Sequence, residues 1–176
     1  MIQRIELAIK GIAPLLMHRF PLVPVEALEK KTPEEQAELS AYRIPETGDL
    51  YVPGTNIQRA LVSGATFSKG KGRASLQKQV AACVFVSPEY IGLGTQEHSI
   101  DARAVVIAAT GGRIVRYRAR LNEWSVNFSL DYDPTLLTES QLRRVVDDTG
   151  ARIGILDFRP EKKGPFGRFM VTQWNL

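Results

Sequence analysis

Leu50 to Phe67, LYVPGTNIQRALVSGATF, decides how the rest of the chain is read. Leu50, Tyr51 and Val52 read as a short strand. Pro53-Gly54 ends it, because proline brings no N–H to a ladder and glycine accepts the backbone angles of a tight turn. Thr55 or Asn56 is expected to cap the following helix, where Ile57, Ala60, Leu61 and Ala65 recur at helical spacing and form one apolar stripe. A strand running straight into an amphipathic helix needs other strands beside it, and the flanking sequence supplies them.

Upstream, residues 2–10 alternate with a period near two, Gln3, Ile5, Leu7 and Ile9 against Arg4, Glu6, Ala8 and Lys10, which predicts a half-buried first strand. Downstream, EWSVNFSLDYD at 123–133 sets Trp124, Val126, Phe128, Leu130 and Tyr132 against Ser125, Asn127, Ser129 and Asp131. TESQLRRVVDDTG then predicts a helix with Thr138 as cap, Leu142, Val145 and Val146 as its stripe, and Gly150 as its stop. A glycine-rich loop leads to a last strand over Phe169 to Trp174. Trp124 and Trp174 are expected in the core.

The remaining segments read as insertions. From Pro14 to Asp49 the prolines are too frequent for one regular element, although TPEEQAEL offers Thr32 as cap and Pro33 at the first helical position. SKGKGRASLQKQ is a basic loop leading into a helical turn over 75–82. AACVFVSPEYIGL and SIDARAVVIAA read as strands, and TGG at 110–112 turns the latter into RIVRYRARL as a hairpin. The expected fold is therefore α+β: a ferredoxin-like or RRM-like (β-α-β-β-α-β) antiparallel sheet with large insertions. Residues 1–176 form a single domain, with insertions at about 14–49 and about 68–121.

Composition narrows the function. The chain is 44% hydrophobic and 24% charged, a soluble globular balance that needs no disulfide or structural metal to close its core. Cys83 is the sole cysteine, and there is no HExxH or GxSxG, so no metal and no cofactor is expected and hydrolase chemistry is disfavoured. No run approaches the length of a membrane span and no signal peptide opens the chain, which implies a cytoplasmic protein with no membrane partner. The net charge of +4 is unevenly spread: residues 26–49 hold seven acidic side chains against three basic ones, and residues 56–120 hold ten basic against three acidic. That asymmetry points to a basic face.

Three segments resemble the RAMP (repeat-associated mysterious protein) superfamily, which includes the guide-RNA-binding backbone subunits of CRISPR effector complexes. GIAPLLMHRF follows the first strand as a proline and PLL turn does there. YVPGTNIQRALVSGA is similar to the superfamily's strand-to-helix transition, and RIGILDFRPEKKGPFGRFMV to its glycine-rich loop before the last strand. The C-terminal loop departs from the usual glycine pattern in being rich in Arg and Phe, and the chain is short for a full backbone subunit. The resemblance implies a stand-alone member, encoded by a phage or prophage and linked to antiviral defense.

The candidate contacts follow from charge and spacing. Lys69, Lys71, Arg73 and Lys78 would grip phosphates from a glycine-rich loop, unless that loop is simply solvated. Arg116, Arg118 and Arg120 fall at spacing two, so one strand face carries all three with Ile114, at a cost unless phosphates or carboxylates such as those at 26–49 neutralise them. Arg159, Lys162, Lys163 and Arg168 gather within ten residues, with Phe158 and Phe166 available for base stacking. Phe166 and Phe169 are also candidate core anchors, Phe169 the more so. Arg19 and Arg59 add cations within the first and second resembling segments.

His18 stands where the superfamily's processing ribonucleases place a catalytic histidine, with Arg19 and Lys10 nearby to stabilise a pentavalent phosphate. Members that cleave target RNA use an acid in this loop, for which MHRFPLVPVEAL offers only Glu26, well downstream. The expectation is a non-catalytic protein that binds RNA or single-stranded DNA and assembles as a head-to-tail homo-oligomer or filament, the acidic 26–49 segment meeting the basic face of the next copy. The alternatives are a metal-independent endoribonuclease using His18, and a protein-interaction module that mimics a CRISPR backbone subunit and binds other effector subunits.

Overall fold

A computed structural model describes residues 1–176, the side chain of Val25 excepted. The strands are β1 (Gln3–Gly11), β2 (Leu15–Leu16), β3 (Tyr51–Pro53), β4 (Val84–Ser87), β5 (Tyr90–Gly92), β6 (Ser99–Val106), β7 (Arg113–Leu121), β8 (Ser125–Tyr132) and β9 (Phe169–Asn175). The helices are α1 (Val25–Glu29), α2 (Pro33–Ser40), α3 (Gly54–Gly64), α4 (Gln77–Cys83) and α5 (Glu139–Asp148), joined by short 3-10 and π turns. The fold is α+β with antiparallel sheets. Among the described residues no helix is long and apolar enough to cross a membrane.

A four-stranded antiparallel sheet in the order β4-β8-β1-β9 forms the centre. Its inner face is the apolar half of each alternating strand: Ile5, Leu7 and Ile9 from β1, with Val126, Phe128, Leu130 and Tyr132 from β8. Against it lie Ile57 and Leu61 of α3 and Leu142, Val145 and Val146 of α5, all buried. Each such aliphatic side chain contributes roughly 1.5–3 kcal/mol through burial. Gly64 lets α3 approach closely, since a Cβ there would overlap the Thr149 hydroxyl just past α5. Trp124 is buried, as expected, with its indole N–H donating to the Ala13 carbonyl at 2.8 Å, and Trp174 is half-buried.

The sheet's other face carries internally paired polar side chains beside exposed Phe85 and Met170. Arg4 makes a two-bond ion pair with Asp131, 2.7 Å for each contact, and Ser129 donates to Glu6 at 2.7 Å. The β6–β7 hairpin belongs to a second sheet, ordered β2-β7-β6, with α2 packed against β7. A third, two-stranded sheet pairs β3 with β5.

Several local expectations are corrected. AACVFVSPEYIGL is not one strand: it holds the end of α4, then β4 in the central sheet and β5 in another, because Pro88 between them interrupts the ladder. Neither Thr55 nor Asn56 caps α3. The helix begins at Gly54 behind Pro53, and the Asn56 side chain accepts from the Leu156 N–H at 3.1 Å. Gly150 does not stop the helix after Thr138, since a π turn over Thr149–Ile153 continues it to Gly154, whose φ of 71° ends it. Both Thr32 and Thr138 are N-caps closing full capping boxes.

Candidate nucleic-acid interface

The turn from β3 into α3 builds an open polar groove. Tyr42, Tyr51, Pro53, Thr55, Asn56, Arg59, Glu89 and Tyr90 line about 640 Å³. The β3–β5 pairing places Tyr51 between two other phenols, Tyr42 at 5.6 Å and Tyr90 at 4.8 Å between ring centres, each edge to face. Tyr90 is 45% exposed, so the run of rings ends in solvent. Burial, followed by neighbouring phenols, raises the Tyr42 and Tyr51 pKa values, and the charge of Arg19 pulls both back. Arg19 itself lines the small cavity beside His18 and Arg118, so Arg59 is the cation of this groove. Aromatic faces beside a cation are the elements from which single-stranded nucleic acids are stacked and held.

Arg59 joins this groove to a second one lined by Gln58, Arg59, Arg159, Glu161 and Lys162. Arg159 is internally satisfied, donating to the Leu156 carbonyl at 2.8 Å and to Glu161 at 2.9 Å. Arg59, Lys162 and Lys163 are exposed, and among the described residues none of them makes an ion pair. Lys163 sits at φ 63°, beyond the Pro160–Lys162 turn, so the loop backbone presents it outward at some conformational cost.

Arg116, Arg118 and Arg120 do share one face of β7, and the hairpin register sets Arg103, Asp101 and Ser99 directly opposite them. The face packs under the glycine-rich loop, whose Asp157 takes Arg118 at 3.0 Å. Asp101, only 5% exposed, takes Arg120 at 3.0 Å and Arg103 at 2.8 Å. The carboxylates that neutralise the row are thus Asp101 and Asp157, not the acidic 26–49 segment. Four guanidiniums against two carboxylates leave a surplus of positive charge, and Arg116 Nη1 is buried without a hydrogen-bond partner.

Phe158 and Phe166 pack edge to face at 5.9 Å, and the guanidiniums of Arg103 and Arg120 lie over Phe166 at 4.7 and 5.2 Å. Phe166 is 5% exposed, so it is closed to a base, whereas Tyr90 of the tyrosine groove is exposed. Phe169 is a core anchor, buried against Trp124.

No family model matches the chain, and no curated protein matches it. The fold brings the segments 11–20, 51–65 and 152–171 near one another. Leu16 accepts from the Asp157 N–H at 3.0 Å, and Asn56 from that of Leu156.

His18 lies beside the arginine row, open to solvent on one side, with Arg118 Nε donating to its Nδ1 at 3.1 Å. Partial burial first, then the charges of Arg118 and Arg116, hold its pKa below the ordinary value, with Asp157 opposing. The imidazole is therefore kept neutral, with Nδ1 as acceptor. The remaining cations are elsewhere. Lys69, Lys71 and Arg73 follow the C-terminal end of α3, about 16 Å along the helix from the tyrosine groove. Lys78 is exposed on α4, and Arg168 turns back to the Pro165 carbonyl at 3.3 Å. Among the described residues no group of three or more His, Cys, Asp or Glu side chains stands where a metal ion would be held.

The three tyrosines were not singled out by sequence reasoning. Tyr42 and Tyr90 come from an insertion and from a segment read as one continuous strand, so nothing local links them to Tyr51. Asp101 was not placed either: counting outward from a TGG turn would set it across from Leu121, whereas the strands part at Val106 and Arg113, which sets it across from Arg118.

Proposed function

We propose that this protein binds RNA or another single-stranded nucleic acid without cleaving it, on a ferredoxin-like domain of the RAMP type, with copies arranged head to tail along the strand. The observation that carries the reading is the tyrosine groove, lined by Arg59 and continuous through it with exposed Lys162. Bases would stack on Tyr90 and Tyr51 while the flanking cations hold phosphates, a combination tolerant of sequence.

For the fold, support comes from the chain order β1, α3, β4, β8, α5, β9 and from the sheet order β4-β8-β1-β9, which sets the first and third of these strands side by side in the middle. For the assembly, support comes from exposed Glu26, Glu29 and Glu34; Glu35 is used in the α2 capping box and Glu38 in ion pairs to Arg43 and His98.

The test is binding of labelled RNA and DNA strands to purified protein across a salt series, for the wild type, Tyr51→Ala and Arg59→Ala. Affinity should fall with salt. Tyr51→Ala should weaken binding at every salt concentration, by about 1–3 kcal/mol per lost stack. Arg59→Ala should reduce the salt slope by about 0.7 for a lost contact to a single strand. Wild-type protein that binds neither nucleic acid at low salt defeats the proposal.

One observation favours the ribonuclease alternative: a neutral imidazole beside Arg118 and Arg116 is a base next to cations that could stabilise a charged phosphorane. Cleavage of RNA lost in His18→Ala would establish it.

A further inference from the structure

Strand β6 is an anomaly as a protein edge. It pairs with β7 on one side only, and its eight residues run without a bulge along the outside of the β2-β7-β6 sheet. One face of it is entirely apolar and uncovered: Ile100 is 39% exposed, Val106 63%, and Ala102 and Ala104 between them are also exposed. Monomeric proteins blunt such edges with lysines and other charged side chains, prolines, bulges, short strands or a covering element. The central sheet does so here, since β4 has four residues and the β1–β9 ladder shifts register between Ala8 and Ile9. On β6 the edge is long, regular and carries no lysine or proline, and its charges, Asp101 and Arg103, lie on the face opposite the apolar one.

We propose that β6 is the docking surface for β6 of a second copy of this chain, the two strands joining antiparallel about a two-fold axis so that the β2-β7-β6 sheets run on into one another. The charges on the strand select the partner and the register. With Ala102 opposite Ala102 of the second copy, each Asp101 faces the Arg103 of the other strand, and each Ile100 faces an Ala104. Sliding the pairing by one residue per strand toward either end sets Asp101 against Asp101 or Arg103 against Arg103, which like-charge repulsion penalises. Only one register is therefore self-complementary in charge, which is the requirement of an isologous contact. The contact works by exchange of partners: Asp101 is 5% exposed and holds Arg103 and Arg120 of its own chain, and Arg103, whose side chain is 37% exposed, is the cation that the Asp101 of the other strand would share.

The two-fold contact closes on itself and involves neither the tyrosine groove nor the acidic 26–49 segment. It pairs protomers without nucleic acid and independently of the reading above, so each can fail alone. Where both hold, pairs of copies bind strands with two grooves per unit.

The experiment is light scattering on nuclease-treated, salt-washed protein, together with cysteine cross-linking. Wild type should have twice the 19.6 kDa mass of the chain. Ala102→Lys or Ala104→Lys, both at exposed positions, should halve that mass and leave the circular dichroism unchanged. Cys83 is buried, so an introduced thiol is the reactive one. Ala102→Cys should cross-link to itself under mild oxidation, because opposed residues lie within disulfide reach. Ala104→Cys should not, because its two copies are four residues apart along the strands, about 13 Å. A monomeric wild type, a pair that survives both lysine variants, or equal cross-linking at 102 and 104 would each overturn the proposal.

Discussion

At the scale of single residues, His18 is the group whose surroundings make the clearest claim. Its neutral form is favoured by partial burial and by two guanidiniums, so the unfolded chain takes up the proton first on acidification. The stability linked to it is complete above 6.5, its ordinary value, and is lost as pH falls through the lowered value of the folded state. Melting temperature should therefore drop as pH falls from 6.5 to that lowered value, and His18→Gln, which keeps an acceptor for Arg118, should drop less over the same range. Parallel curves for the two proteins would mean the imidazole is not held neutral. The arginine row beside it was legible because a strand alternates faces every second residue. Its neutralisation by Asp157 was not, since that carboxylate reaches Arg118 from a loop nearly forty residues further on, which periodicity does not register.

At the scale of elements, the glycine-rich loop shows which glycines the fold depends on. Gly167 has φ 76°, and a Cβ there would strike the Ile155 backbone; Gly164 would strike that of Phe158. Gly72 in the basic loop has a similar φ of 74° with open space around it. Gly72→Ala should thus cost about 1 kcal/mol, from backbone conformation alone. Gly167→Ala should cost well above that, about 3 kcal/mol or more, because the backbone must also move. Urea unfolding of the two variants checks the difference, and equal midpoints would remove the argument for close packing. Elements with strong periodicity, β1, β8, α3 and α5, were readable in sequence. Those that failed did so at their ends: Asn56 was drawn away from capping by a tertiary partner, and a π turn carries the helix beyond Gly150, which is glycine because the adjoining Phe169 leaves no room for a Cβ, a packing role and not a stop.

At the scale of the molecule, the basic residues that composition grouped together fall into separate places. Arg59, Lys162 and the tyrosines lie around the start of α3, whereas Lys69, Lys71 and Arg73 follow its end. The asymmetry of charge along the chain was visible in sequence, but its division in space depends on which end of a helix each loop adjoins. That division makes strand length the probe. An oligonucleotide of about four bases, the lower end of common site sizes, fills the groove without reaching the loop, and one of about sixteen can track across both. Replacing Lys69, Lys71 and Arg73 together by alanine should leave binding of the short strand unchanged. With the long strand it should flatten the salt slope by about 2, from three contacts at roughly 0.7 each. Arg59→Ala should flatten both. If the triple variant weakened the short strand as much as the long one, loop and groove would act as a single site, and the path of the strand along α3 would be wrong.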